Sequence, residues 1–257
     1  MSNLPIVKIV LELQSEDRPR VRNAPMVLVT TKLLPITDLH GEALLVACRQ
    51  CVLCHYELWN AGMQDWEISC ENLMYYERDG KIIGVLHDFD LLTFKNWTRC
   101  PLPRPGTLHF MPIDLLGTGG CRVPHMYQHD LESFIWVLTW ISLQFSGGVR
   151  QNPGLLDHWL KADPMICEAR KVRFLCSFST YTPPSGNDGI WHVAKNSLHV
   201  LLRRFRQLDQ LMGDLNDAFE NQQDATSLRA KLVEHRAPAP ATVFAEFAGA
   251  LGLQVEQ

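Results

Sequence analysis

An α+β fold, predominantly helical, is predicted by three features of the 257-residue sequence. Residues 1–35 read as strand and loop, with loose alternation over Leu4 to Leu13 and a Val- and Thr-rich run over Met26 to Thr31. Residues 63–92 contain two strand-like runs flanking Arg78-Asp79-Gly80, a turn signal that makes them a short hairpin. From residue 130 onward the apolar periodicity is helical almost throughout.

The elements follow in order. Residues 37–61 form a long helix stopped by Gly62, because Leu44, Leu45, Cys48, Cys51, Val52, His55 and Leu58 or Trp59 recur at helical spacing. Residues 93–128 carry Pro and Gly and read as a surface loop. Within it, Gly117-Thr118-Gly119-Gly120 follows no strand and lacks a Lys-Ser/Thr ending, so it is a flexible turn and not a phosphate cradle. Asp130 to Gln144, with Trp136 and Trp140, is apolar nearly all round and marks a buried central helix. Leu155 to Leu160 and Ile166 to Phe178 read as shorter helices, and Tyr181 to Gly189 as a linker. His192 to Asn221 forms one long helical stretch, which Ala237-Pro238-Ala239-Pro240 separates from a short C-terminal helix.

Composition excludes some function classes. At 46% hydrophobic and 20% charged residues the chain can bury one sizeable core. A net charge of −4 gives no electrostatic case for nucleic acid or an anionic membrane. Arg203-Arg204-Phe205-Arg206 reads as a solvated helix face. The N-terminus lacks a signal pattern, and the longest apolar stretch, Phe134 to Phe145, is far short of a span. The expected location is cytoplasmic or nuclear and not secreted, where the eight cysteines stay reduced. Cys51-Val52-Leu53-Cys54-His55 matches a haem-attachment spacing. No second Cys pair at ligand spacing completes a metal site, and the helical periodicity assigns these thiols to the core.

Four segments carry the chemistry. Glu67-Ile68-Ser69-Cys70-Glu71-Asn72 sets an acid five residues before an Asn, and Ile82-Ile83-Gly84-Val85-Leu86 leads into His87-Asp88-Phe89-Asp90. Arg104-Pro105-Gly106-Thr107-Leu108-His109-Phe110-Met111 follows, then His129-Asp130-Leu131-Glu132-Ser133. An amide oxygen and a carboxylate suit Mg²⁺, which takes oxygen ligands at short, near-octahedral distances. The order and spacing of the four segments resemble the fungal-type protein kinase domain family over about residues 25–180.

The resemblance implies a protein-kinase-like C-terminal lobe with a truncated N-terminal β portion. Residues 1–35 would be a remnant of the small lobe and hinge, 36–180 the large lobe, and 181–257 a helical extension of that lobe. It puts Glu67 at the catalytic base, Asn72 and Asp88 at the Mg²⁺ positions, and Thr107 at the substrate-facing end of the activation segment. Asp114 would brace the lobe from within, and Asp130 would hydrogen-bond the catalytic-loop backbone. Asp130 also reads as a helix N-cap. Trp159, Lys171 and Phe174 have matching places in the later helices.

Departures from the family pattern shape the functional expectation. Asp65-Trp66-Glu67 stands where the family has His-Arg-Asp, Pro105 replaces a Thr, and Lys8 follows no Gly-rich loop and reads as a solvated strand charge. The expectation is a degenerate, non-catalytic module that works through a protein partner. The alternative is an active kinase that uses ATP and Mg²⁺ to phosphorylate protein Ser or Thr, with Glu67, Asn72 and Asp88 in the roles above.

Overall fold

The structure, a computed structural model, describes residues 32–64, 68–87, 93–94, 108–117, 124–160 and 163–253. The strands expected over Leu4 to Leu13 and Met26 to Thr31, and Lys8, lie outside the described residues.

The fold is α+β and mostly helical. Helix α1 (Gly41–Asn60) ends where Gly62 turns the chain with φ +85°, as the sequence indicates. Strands β3 (Leu73–Arg78) and β4 (Lys81–Leu86) form the hairpin, in register from Leu73↔Leu86 to Arg78↔Lys81. Its two-residue loop has Asp79 and Gly80 both at positive φ, which matches the right-handed twist of the strands. Strand β1 (Leu34–Pro35), in the segment likened to the family's hinge, pairs antiparallel with β3 and completes a three-stranded sheet. Strands β2 (Met63–Gln64) and β5 (Thr93–Phe94) form a separate pair.

Helix α1 seats directly on the hairpin because Gly84 has no side chain. A Cβ there would stand 2.3 Å from the Ala47 carbonyl oxygen, and the Gly84 N–H donates to Gln50 Oε1 at 2.5 Å.

A short helix α2 (Ile113–Leu116) precedes the central α3 (Tyr127–Gln144), in which every residue but Gln128 is buried. Two short strands, β6 (Phe145–Ser146) and β7 (Val149–Arg150), follow it. Around α3 pack α1, α5 (Asp188–Glu220) and α7 (Pro240–Ala250), and α4 (Pro164–Ser177) packs on α2 and α5. Trp136, Trp159 and Phe174 meet edge to face, with centroids 5.6 and 5.3 Å apart along the chain of contacts.

Three readings differ from expectation. Residues 93–128, read as a surface loop, hold strand β5 and helix α2, with Phe110, Ile113 and Leu116 buried. Leu155 to Leu160 holds only a 3-10 turn, Asp157–Trp159. The Gly154 and Leu156 amides donate to the side chains of Asp157 (2.8 Å) and Gln144 (3.2 Å), which hold this single turn against α3. Helix α6 (Thr226–Arg236) is an addition, opened by Asp224 Oδ1 accepting from the Thr226 N–H at 2.9 Å.

Candidate functional site

Asn72 closes the tight turn ahead of β3, its N–H donating to Ser69 C=O at 3.2 Å, and is largely buried. Its carbonyl accepts from the His87 N–H at 2.8 Å, one step beyond the Leu73↔Leu86 pair. The hairpin thus sets Asn72 opposite the residue that precedes Asp88 in the chain. Asp88, Glu67 and the altered Asp65-Trp66 pair lie outside the described residues. Among the described residues no cluster of three or more His, Cys, Asp or Glu is arranged to hold a metal. The Asn72 amide oxygen is the kind of hard donor Mg²⁺ takes, and Asp88 is of the class that would complete the pair.

Asp130 occupies the first turn of α3 and is buried. One carboxylate oxygen lies 2.6 Å from His125 Nε2 and the other 3.0 Å from His55 Nε2. Burial acts to raise its pKa, but the two imidazoles outweigh burial and hold the carboxyl below its usual range. The His55 ring stacks on Tyr127 at 5.5 Å and meets Phe134 edge-on at 5.5 Å, so one carboxylate joins α1, α3 and the irregular segment entering α3. The N-cap expectation is corrected. The helix begins three residues before Asp130, and the His129 imidazole accepts from the Met126 N–H at 3.1 Å. Residues 65–67 of the loop whose backbone was expected to receive Asp130 lie outside the described residues.

The brace beneath the loop is also different from the expectation. The Asp114 side chain is 46% exposed, with His129 Nε2 at 3.9 Å. The buried acid is Glu132, whose Oε1 accepts from the Ile113 N–H at 2.8 Å and from Trp136 Nε1–H at 2.9 Å. Lys171, wholly buried, donates to the Met111 carbonyl and lies 4.7 Å from the Trp136 ring centroid. Burial pushes Glu132 up and Lys171 down, as expected for two charges that share one dry region. Together they hold residues 111–113 from both sides, while Phe110 fills the core beside Trp140. His109, against the same Trp140 at 4.6 Å, is held by burial at a pKa of about 3 and is therefore neutral. Thr107 lies outside the described residues. Glu132 was legible as part of Asp-Leu-Glu-Ser, but its role depends on Ile113 and Lys171, which are 19 and 39 residues away in sequence.

The thiols behave as core. Cys48, Cys51 and Cys54 are buried and free, and burial pushes Cys48 up to about 12 and Cys54 up to about 11, far from a reactive thiolate.

The family model described as fungal protein kinase matches residues 12–142, just over half of the chain. The chain belongs to this family. No curated protein and no solved structure matches it. The fungal protein kinase match takes in α1, the β3–β4 hairpin, α2 and nearly all of α3, while α4 to α7 lie beyond it. Among the described residues no helix is long and apolar enough to cross a membrane.

Proposed function

We propose that this fungal protein kinase domain is a non-catalytic interaction module that engages a protein partner. The observation that carries the reading is the hydrogen bond of Asp130 with His125 at 2.6 Å, with His55 Nε2 3.0 Å from the other carboxylate oxygen. In the family pattern this acid steadies the catalytic loop, and the loop here reads Asp65-Trp66-Glu67. Phosphoryl transfer depends on positioning and charge far more than on covalent help from the protein. Glu67 in place of Asp extends the carboxylate by one methylene, and a shift of about 1 Å costs on the order of 10²-fold.

The test is nucleotide binding and transfer. Saturating Mg·ATP is expected to leave the melting temperature unchanged, and no label is expected to pass from γ-labelled ATP to the domain or to a generic Ser/Thr protein substrate. A ligand at 100 times its Kd would add about 2.7 kcal/mol, roughly 5–11 °C for a chain of this size. Label transfer abolished by Glu67→Gln and by Asp88→Asn would overturn the proposal.

One observation favours a second reading. The 2.8 Å bond between the His87 N–H and the Asn72 carbonyl sets the Asn72 backbone beside the residue that precedes Asp88 in the chain, which supports a metal-holding role for the two. In that reading Asn72 and Asp88 hold Mg²⁺, and Glu67 orients a Ser or Thr hydroxyl. Bound ATP supplies the phosphoryl group.

A further inference from the structure

We propose that the groove between α5 and α6 docks an acidic peptide segment of a partner protein, whether or not the domain transfers phosphate. The groove encloses about 700 Å³. Arg203, Arg204, Arg206 and Lys231 line it, with Glu234 as the one acidic side chain in the wall. Arg203 and Arg204 share a single carboxylate, Glu246, at 3.2 and 3.1 Å. Arg204 also donates to Gln128 Oε1 at 2.7 Å, which ties α5 to α3 and makes it a fixed part of the wall and not the solvated side chain the sequence suggests. Arg206 and Lys231 are exposed, on opposite helices, and make no ion pair among the described residues. Four permanent cations therefore face two carboxylates on a chain whose net charge is −4. This local excess runs against the molecule's overall sign and attracts negative groups to one place.

The chemistry of the wall selects among anions. Guanidinium groups pair with carboxylates through two parallel hydrogen bonds, and the Arg206 fork is open to do so. Leu211 and Pro238 add apolar surface for side chains between the acids. No Phe, Tyr or Trp lines the groove, so it lacks the stacking platform that single-stranded nucleic acid uses. None of the residues of α6 is buried, so the helix leaves its groove side available while it packs on α5. A smaller adjoining cavity shares Arg204 and His235 with the groove and reaches Asp114 and Ile113 of α2. The groove thus leads toward the end of the segment that Glu132 and Lys171 each hold by the backbone.

Fluorescence anisotropy of the full chain tests this with a labelled nonapeptide of mixed Asp and Glu punctuated by Leu. Its Asn/Gln counterpart and an oligothymidylate serve as further probes. Saturable binding of the acidic peptide that weakens as salt rises is expected, with little binding of the amide version. The double variant R206E/K231E should weaken binding by at least about tenfold, because two attractive surface pairs become repulsive. The double variant K81E/R173E changes net charge equally at exposed positions outside the groove and should leave affinity within about twofold. Circular dichroism and melting temperature of both variants check that each is folded. No saturable binding, or equal loss in both variants, overturns the proposal. Tighter binding of the oligothymidylate, lost in R206E/K231E alone, overturns it in favour of a nucleic-acid groove.

Discussion

Gly84→Ala is the sharpest test of how the hairpin bearing Asn72 is held. An added Cβ would stand 2.3 Å from the Ala47 carbonyl oxygen and 2.9 Å from the Ala47 Cα, where ordinary contact begins at 3.4 Å. Both sides are backbone, so no rotamer change relieves the clash. The hairpin must move away from α1 by about 1 Å, and overpacking of this kind costs about 1–3 kcal/mol. The same movement breaks the bond from the Gly84 N–H to Gln50 Oε1, which adds about 1 kcal/mol. The expected loss is about 2–4 kcal/mol, roughly 4–16 °C in melting temperature. Urea denaturation followed by circular dichroism measures it directly. Gly213→Ala is the internal control. It lies exposed inside α5 with nothing within 4 Å of its added Cβ, so it should stabilise by about 0.5–1 kcal/mol through helix propensity. A Gly84→Ala protein within about 0.5 kcal/mol of the parent would refute the close seating of α1 on β4.

Further predictions concern the buried charges. Asp130 has a depressed pKa in the folded chain, so its contribution to stability is full above its unfolded pKa of about 3.9 and is lost as pH falls through the folded value. Asp130→Asn should therefore be least stable relative to the parent near neutral pH, and the difference should narrow below about pH 4 in urea titrations at stepped pH. Lys171→Met leaves the Met111 carbonyl without its buried donor and removes a nearby positive charge from Glu132, and should cost about 1–3 kcal/mol. Asp114→Asn, at a half-exposed site with one imidazole at 3.9 Å, should cost under about 1 kcal/mol. A larger loss for Asp114→Asn than for Lys171→Met would return the bracing role to Asp114.

Much of the architecture was legible along the chain because it is decided locally. Asp79-Gly80 permits the positive φ angles of a two-residue turn, and the stripe from Leu44 to Trp59 buries one side of α1 whatever it meets. Asp130 to Gln144 carries so few polar positions that only the centre of the domain can hold it. Helix α6 escaped because none of its residues is buried, so no apolar period announces it. The Leu155 to Leu160 segment is a single 3-10 turn held by the Asp157 and Gln144 side chains, contacts that periodicity does not register.

The candidate site divides along the same line. That an Asn, an acid and an Asp-Leu-Glu-Ser segment stand at kinase-like spacing is a property of the chain alone, since motif order needs no coordinates. Which group each side chain meets belongs to the tertiary structure. Asp130 finds His55 from 75 positions away, and Lys171 reaches back 60 positions to the Met111 carbonyl. A buried charge takes whichever donor or counter-charge packing brings within about 3 Å, and that proximity is created only when α1, α3 and α4 close on one another.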